Sequence, residues 1–569
     1  MGGLFFISIR RLRAPLVVLI VIFSISTAGL TLIPGVGPEG LPWRPNLFEA
    51  FYFVTYTATT IGFGELPFTF TNLQRLWVTA IIYLSVIGWA YLLGNILALV
   101  QDKGFRAAVV TARFGRTIRH LREPFYLVCG LGETGLGVAR ALDAMGRRFV
   151  ALDADEGRIL ELDLGDFATD PPGLAADVSS PETLMLAGLG KHECRGVLAL
   201  TPDDHANLAI AVTTRLLHPG LRVICRAQST SAMDAMQTCG VAEIINPFRE
   251  FSERLTLAMR APDTHRLVSW LTGPPGATLS PRLPPPPGHW VVCGYGRFGE
   301  EVTSAIEASG FEVTVVDPDE PHAHGLDLVR GLGSDEESLR RAGIAEAEGI
   351  VAGSDDDIAN LAMAMAARKL KPGIFVITRQ NLARNHALFA TFAAEMTMIP
   401  SEIVANECIA RLRARHLAGF LAIAHREDDA WAAALTAQME AVLGQGAPEV
   451  WSLTVREADS PGLLDALRRC GTVSLDDLAR DPADRSRRIA AFPLLLVRDG
   501  ERRPLPAGDT EIRPGDELLF AGRDRARRAM NETFLNANTA EYVVTGRDRP
   551  SSVLARLIDR LHPTRPAVG

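Results

Sequence analysis

Cysteine is scarce and unpaired in this sequence: seven residues among 569, none in CxxC spacing. That excludes a disulfide framework and a cysteine-built zinc site, and it fits a reducing compartment for the bulk of the chain. An excess of basic charge is also missing. The formal net charge is −8, so nucleic acid is excluded as the main partner, because phosphate binding needs a basic face. Charged residues make up 22% and hydrophobic residues 47%, values that rule out a disordered tail, a collagen-like fibre and a coiled coil.

Beyond residue 102 no long apolar stretch is free of charge. Before it there are two, residues 14–38 and 76–101, of 25 and 26 residues. A helix needs about 20 apolar residues to cross the hydrocarbon core, so both are long enough. A cleaved signal peptide is a poor account of the first, whose apolar run is too long and lacks a small-residue cleavage site. Arg10, Arg11 and Arg13 precede the first stretch; Lys103, Arg106, Arg113, Arg116, Arg119 and Arg122 follow the second; Arg44 and Arg75 lie between. The positive-inside rule then predicts a multi-pass protein of the cell (inner) membrane with both termini cytoplasmic. The basic segment after the second stretch is either that flank alone or a contact with membrane lipid headgroups.

The connection between the two stretches is too apolar for a bare anchor. Residues 50–64 carry no charge, and residues 46–59 read as a helix too short to span, followed by Thr60-Ile61-Gly62-Phe63-Gly64-Glu65. Non-helical backbone at membrane depth is tolerated only where protein buries it or it lines a polar path. Gly62 and Gly64 allow conformations that turn successive carbonyls toward one axis. Four such segments would stack rings of oxygens able to replace the water shell of K⁺. The segment resembles the potassium-channel signature T-V-G-Y-G-D, with Ile61 for Val, Phe63 for Tyr and Glu65 keeping the acid at the outer mouth. The resemblance implies a selectivity filter at Thr60, Ile61, Gly62, Phe63 and Gly64, and a support behind it altered by Tyr56, where some members carry an acid. In the second span Gly88 and Gly94 are candidates for a gating bend, since glycine weakens a helix interior by about 1 kcal/mol relative to alanine. Close helix packing explains them equally well.

The remainder is one unit written twice. An apolar strand runs into Gly130-x-Gly132-x-x-Gly135 and, again, into Gly294-x-Gly296-x-x-Gly299; each leads to a second strand ending in an acid, Asp153 or Asp317, 23 residues after the first glycine. This is the Rossmann pattern, with phosphates facing a helix N-terminus and the acid facing a ribose hydroxyl. Further on, Asp203-Asp204-His205-Ala206-Asn207-Leu208 answers Asp355-Asp356-Asp357-Ile358-Ala359-Asn360-Leu361, and later strands end at Arg226 and Arg379. Alternating strands and helices of this length predict doubly wound parallel sheets. The units look like RCK domains, regulators of K⁺ conductance of the TrkA-N/TrkA-C type. Ala176-Asp177-Val178 resembles that family's G-D-A stretch; the second copy, Gly331-Leu332-Gly333, has lost the acid. The first glycine loop holds Glu133 where the second holds Arg297, which welcomes phosphate better.

The expected organisation is an α-helical membrane pore domain (1–102), a linker (103–123), two Rossmann-like α/β RCK domains (124–271 and 289–420) joined by a Pro/Gly-rich linker (272–288), an α+β C-terminal lobe (421–525) and a tail (526–569). Helices at 248–261 and 401–417 are expected to cross to a neighbouring domain, as in the family. The resemblance implies a ligand-gated, homotetrameric K⁺ channel, not an enzyme, with eight RCK units binding NAD(H) or ADP/ATP through nucleotide sites at Gly130, Gly132, Gly135, Asp153, Asp177, Arg226, Gly294, Gly296, Arg297, Gly299, Asp317 and Arg379, and with Ca²⁺ as the other ligand compatible with the family. Asp355, Asp356 and Asp357 offer oxygen ligands for a metal, or cap a helix; Asp335-Glu336-Glu337 reads the same two ways. His322 and His324 form an HxH pair on a loop. The alternatives are a regulatory subunit of a K⁺ transporter, which would need no spans, and a membrane-anchored NAD-dependent oxidoreductase, which would need a substrate domain and an acid–base pair.

Overall fold

The computed structural model describes residues 2–37, 40–65, 67–273, 276–279, 282–319 and 327–547; the His322/His324 pair lies outside them. The chain forms two compact units, Met1–Leu121 and Arg122–Gly569.

In the first unit, helix α1 (Gly2–Leu32) packs on α3 (Asn72–Gln101), with the short α2 (Leu47–Ala58) between them in sequence. Two of these helices, over Leu12–Leu32 and Asn72–Gln101, are long and apolar enough to cross a membrane. Asn46 caps α2 reciprocally with Glu49, each side chain accepting the other's backbone N–H at 2.8 Å, which satisfies two orphan donors. The core gathers Leu30, Ala50, Phe53, Val54, Tyr56, Phe70 and Ile81. Small residues let α1 and α3 approach: a Cβ on Gly29 would stand 2.2 Å from the Trp77 ring, and one on Gly88 2.8 Å from Ile22 Cδ1. Gly88 is therefore a packing glycine. Gly94 meets nothing within 4 Å and alone retains the freedom a bend would use. The expected linker is a helix instead. Asp102 interrupts α3 with an extended ψ of 120° and its carboxylate caps α4 (Lys103–His120), accepting from the Phe105 N–H at 2.8 Å.

The second unit holds two six-stranded parallel sheets. The first joins β1 (Phe125–Cys129), β2 (Arg148–Asp153), β3 (Gly173–Ala175), β4 (Cys194–Ala199), β5 (Arg222–Arg226) and β6 (Glu243–Ile245) in the order β3-β2-β1-β4-β5-β6. The second repeats it with β7 (His289–Cys293), β8 (Glu312–Asp317), β9 (Asp327–Arg330), β10 (Gly349–Ala352), β11 (Phe375–Arg379) and β12 (Met396–Met398) in the order β9-β8-β7-β10-β11-β12. Runs such as FYLVC and, after His289, WVVC carry no charge and are largely apolar because both faces of the sheet are covered.

Helices α5 (Glu133–Ala144), α6 (Pro247–Arg260), α7 (Arg297–Ala308) and α8 (Pro400–Arg413) weld the copies. Helix α6 leaves the first copy and buries Phe248, Phe251 and Leu255 among Trp290, Phe298 and Val302 of the second. Helix α8 returns the exchange, setting Val404, Ala405, Cys408 and Leu412 against Val138, Leu142 and Phe149. Each buried side chain of this size contributes about 1.5–3 kcal/mol. Both crossing helices open on a proline, which supplies no N–H at a position where none is needed.

The lobe is larger than the sequence implies. Its antiparallel sheet, β13 (Glu449–Thr454), β14 (Ala491–Arg498), β15 (Glu501–Pro504) and β16 (Glu517–Gly522), runs β13-β16-β14-β15. One face packs on Leu267, Trp270 and Leu271, which follow α6, together with Leu417, Phe420 and Leu435, which follow α8. The other face takes Ala526, Met530 and Phe534 from the helix Asp524–Leu535, inside the supposed tail. The inter-copy linker also docks: Gly276 and Leu279 donate to the carbonyls of Ala447 and Gln445, both at 2.9 Å.

Where α6 and α8 meet, Arg254 reaches Glu407 at 2.5 Å and Arg411 reaches Glu250 at 3.4 Å. Burial, with Glu407 nearby, raises the Glu250 pKa to about 7, against the pull of Arg411 and Arg254. The native state thus keeps a proton that the unfolded chain has released. This contribution to stability is present at low pH and is lost as pH rises toward about 7. Glu250→Gln is expected to flatten the pH dependence of the thermal midpoint between pH 4.5 and about 7, read by calorimetry; an unchanged slope would refute it.

Candidate functional site

After α2 the backbone alternates in hand. Thr60, Gly62 and Gly64 have φ of 63°, 66° and 91°, while Ile61 and Phe63 stay out of the left-handed region. In a strand of one hand successive carbonyls point to opposite sides; alternation turns them to the same side, the geometry an ion path needs. The Ile61 and Gly62 N–H groups are tied back to the Tyr56 carbonyl at 2.9 and 3.3 Å. Tyr56 holds this segment from behind. Its hydroxyl donates to the Gly64 carbonyl at 2.6 Å and its ring meets Phe63 edge-on, 5.4 Å between centroids. Glu65 carries its charge compensated: Arg75 donates through Nε at 2.8 Å and through a terminal nitrogen at 3.1 Å, and the Phe70 N–H adds a third bond at 2.8 Å.

Both glycine loops have the same build. Gly130 and Gly294 take φ of 95° and 91°. A Cβ on Gly135 would stand 1.8 Å from the Gly130 carbonyl oxygen, and one on Gly299 2.0 Å from that of Gly294, so the third glycine serves strand–helix contact. A Cβ on Gly132 or Gly296 would meet nothing within 4 Å, which leaves open space on that side of the N-termini of α5 and α7. Asp153 accepts from the Leu131 N–H at 2.5 Å and the Asp155 N–H at 2.8 Å; Asp317 accepts from Tyr295 at 2.6 Å and Asp319 at 2.9 Å. Each acid is thereby fixed at the loop's edge, with lone pairs left for a hydroxyl.

The copies diverge around this frame. Asp177 is exposed and its pKa is held down by the Ser179 hydroxyl and N–H. The turns after β3 and β9 correspond, since Ala176 and Gly331 both donate to the carbonyl of the strand-end acid; one residue later stands Asp177 in one copy and Leu332 in the other. Glu133 is spent on the other copy, accepting from the Ala383 N–H at 2.7 Å and the Ser401 hydroxyl at 3.1 Å. Arg297 lies 5.7 Å from the Phe248 ring centroid. Arg226 and Arg379 end β5 and β11, and burial pushes both pKa values down, with Arg297 adding to the effect on each. Neither Nε has a partner among the described residues.

The three aspartates do not form a metal site. Asp355 pairs with Arg379 at 2.7 Å, Asp356 caps its helix through the Ile358 N–H at 2.8 Å, and Asp357 accepts from the Asn381 and Leu382 N–H groups at 2.6 and 3.1 Å. Asp335 is also a cap, accepting from the Ser338 N–H at 2.8 Å. Among the described residues no group of three or more His, Cys, Asp or Glu is placed to hold a metal ion. Two residues carry more than the sequence reading assigned. Asn207 and Asn360 are buried and donate to the Arg226 and Arg379 carbonyls at 2.9 and 2.8 Å, locking the strand ends that form the sites; their matched place in the repeat was the available signal.

Comparison with known proteins agrees with this division. Residues 17–102 match the family model described as Ion channel, and residues 126–247 and 290–400 match the TrkA-N domain. The chain thus joins an ion channel segment to two TrkA-N domains, the make-up of the two-span potassium channels with RCK domains. Among its relatives, Potassium channel protein 1 of Methanocaldococcus jannaschii is 26% identical over 42% of this chain and 67% of its own length. The probable potassium channel protein 2 of the same organism is 26% identical, over 36% of this chain and 58% of its own length. The voltage-gated potassium channel Kch of Escherichia coli is 23% identical over 40% of this chain and 54% of its own. A solved structure, the GsuK channel bound to NAD, is 15% identical with a TM-score of 0.43, covering 93% of this chain and 99% of that one.

The glycine geometry separates packing from ligand space. Gly135→Ala is expected to destabilise the first Rossmann-like unit by about 1–3 kcal/mol or more through overpacking, while Gly132→Ala leaves the thermal midpoint unchanged; equal midpoints for the two variants would refute the assignment.

Proposed function

We propose that the chain is one subunit of a tetrameric K⁺ channel of the cell (inner) membrane, both termini cytoplasmic, opened or closed by adenine nucleotide on its tandem Rossmann-like domains. The observation that carries this reading is the alternation of backbone hand at Thr60, Gly62 and Gly64, set directly after a capped half-helix between two apolar helices. One chain supplies one strand of carbonyls, so four are needed to surround an ion. Ile61 and Phe63 are 61% and 59% exposed on the single chain, apolar area that adjoining chains would cover. The negative end of α2 favours a cation on the axis.

Each Rossmann-like unit would take the phosphates of NAD(H), ADP or ATP at Gly132 or Gly296, with Asp153 or Asp317 on the ribose. Four chains bring eight such units. Arg297 makes the second loop the stronger phosphate binder, and Glu133 weakens the first. Because α4 follows α3 after the single extended residue Asp102, ligand energy would reach the pore through a short, mostly helical connection, and it can shift opening by no more than its differential affinity for the two states.

The test is K⁺ and Na⁺ flux through the purified protein in liposomes. Gly62→Ala places a side chain at a left-handed position, a cost of about 1–2 kcal/mol per chain, and is expected to abolish K⁺ over Na⁺ selectivity while native mass measurement still finds four chains. Unchanged selectivity would overturn the filter assignment. Tyr56→Phe keeps the ring and deletes one hydrogen bond of about 1 kcal/mol; selectivity should fall several-fold with assembly intact, and wild-type selectivity would remove Tyr56 from this role.

A further inference from the structure

The amino ends of the first sheet border a cleft of about 930 Å³, within the size range of small-molecule sites. Six arginines line it, Arg147, Arg222, Arg411, Arg413, Arg415 and Arg456, against two carboxylates, Glu243 and Glu407. In a chain of net charge −8 this is a local reversal of sign.

Part of that charge is structural. Arg222 forms a bidentate pair with Glu243 at 2.6 and 2.7 Å and donates to the Arg411 carbonyl at 2.9 Å; Arg147 donates to the Leu412 carbonyl at 2.9 Å. Both thereby cap the end of α8. Arg411 is shared between Glu250 and Glu407, and Arg456 pairs with Asp459 at 2.5 Å. His416 is engaged with Glu517. Two arginines remain. Neither Arg413 nor Arg415 has an ion pair or side-chain hydrogen bond among the described residues, and the Arg413 Nε is buried without an acceptor. Burial pushes the Arg413 pKa down; Glu449 pulls it back, and Arg527 and Arg147 push further. A buried cation beside other cations is costly until an anion completes it.

We propose that this cleft binds a di- or triphosphate group, at a site separate from both glycine loops. Arg413 and Arg415 bring guanidinium forks that nothing else in the cleft occupies, and the engaged Arg147, Arg222, Arg411 and Arg456 around them keep the field positive; phosphate matches the fork in pairs. Separation follows from the sheet itself. The glycine loops stand at the carboxyl ends of the strands and this cleft at the amino ends, and five residues of strand span about 16 Å. A ligand here touches the first copy, the crossing helix of the second and the shared lobe together, so it stabilises one arrangement of the three. The site does not depend on the nucleotide reading of the loops.

Calorimetric titration of the full chain in detergent with inorganic pyrophosphate, and separately with ADP, tests it. Wild type is expected to bind pyrophosphate. Arg413→Ala/Arg415→Ala should weaken that binding about tenfold or more, as loss of charge-assisted bonds implies. Arg415→Glu, which reverses an exposed charge with no partner to lose, should do the same without a folding penalty. Gly132→Val/Gly296→Val, which fills the loop space, should leave pyrophosphate binding intact. ADP still bound to that loop variant identifies nucleotides as the source of the phosphate chain; pyrophosphate without ADP identifies the free anion. The proposal is overturned if wild type binds no pyrophosphate, if Arg415→Glu and the double variant bind it as wild type does, or if the loop variant loses it.

Discussion

Each Rossmann-like sheet leaves part of one face without cover from its own chain segment, and a helix of the other copy fills it. That exchange is the constraint on which the second unit rests. With Phe248 seated against Phe298 and Val404 among Val138 and Leu142, neither copy can complete its core alone. The two glycine loops are held in fixed relation because their own helices, α5 and α7, are the ones the visitors pack upon. Arg226, Arg297 and Arg379 then feel one another's charge, and Glu133 is held by Ala383 and Ser401. Duplication alone would yield two independent Rossmann-like folds; exchange makes them one body.

Much of this was legible from short-range chemistry. The half-helix ends fell where Asn46 and Thr59 cap it. The equal spacing from first glycine to acid reappears as the same carboxylate-to-amide bond in each copy. Proline at the start of α6 and α8 marked both crossing helices. What escaped was long-range. Nothing around Tyr56 announces that its hydroxyl turns back to Gly64, eight residues on. The basic segment after the second span reads as a charged flank, yet the cap at Asp102 makes it helix. The aspartate run offered cation ligands on composition, and only the partners at 358, 379 and 381 show the oxygens committed.

The copies differ around the mouths of the glycine loops and agree where folding falls. Gly130, Gly135 and Asn207 repeat as Gly294, Gly299 and Asn360, each fixed by contacts within a few ångströms. Glu133 against Arg297, and Asp177 against Leu332, break the repeat; Arg297, Asp177 and Leu332 are exposed, while Glu133 is half-buried against the other copy. Packing tolerates no such divergence, while a mouth can be re-specified by single side chains.

The lobe is a keel shared by the two copies. Its sheet is covered on one face by segments that leave each crossing helix and on the other by the helix Asp524–Leu535. A premature stop or a protease cut near residue 524 would therefore not trim a dispensable end. It would strip Met530 and Phe534 from under the sheet, and because both copies are moored to that sheet, one lesion there would loosen both Rossmann-like folds together.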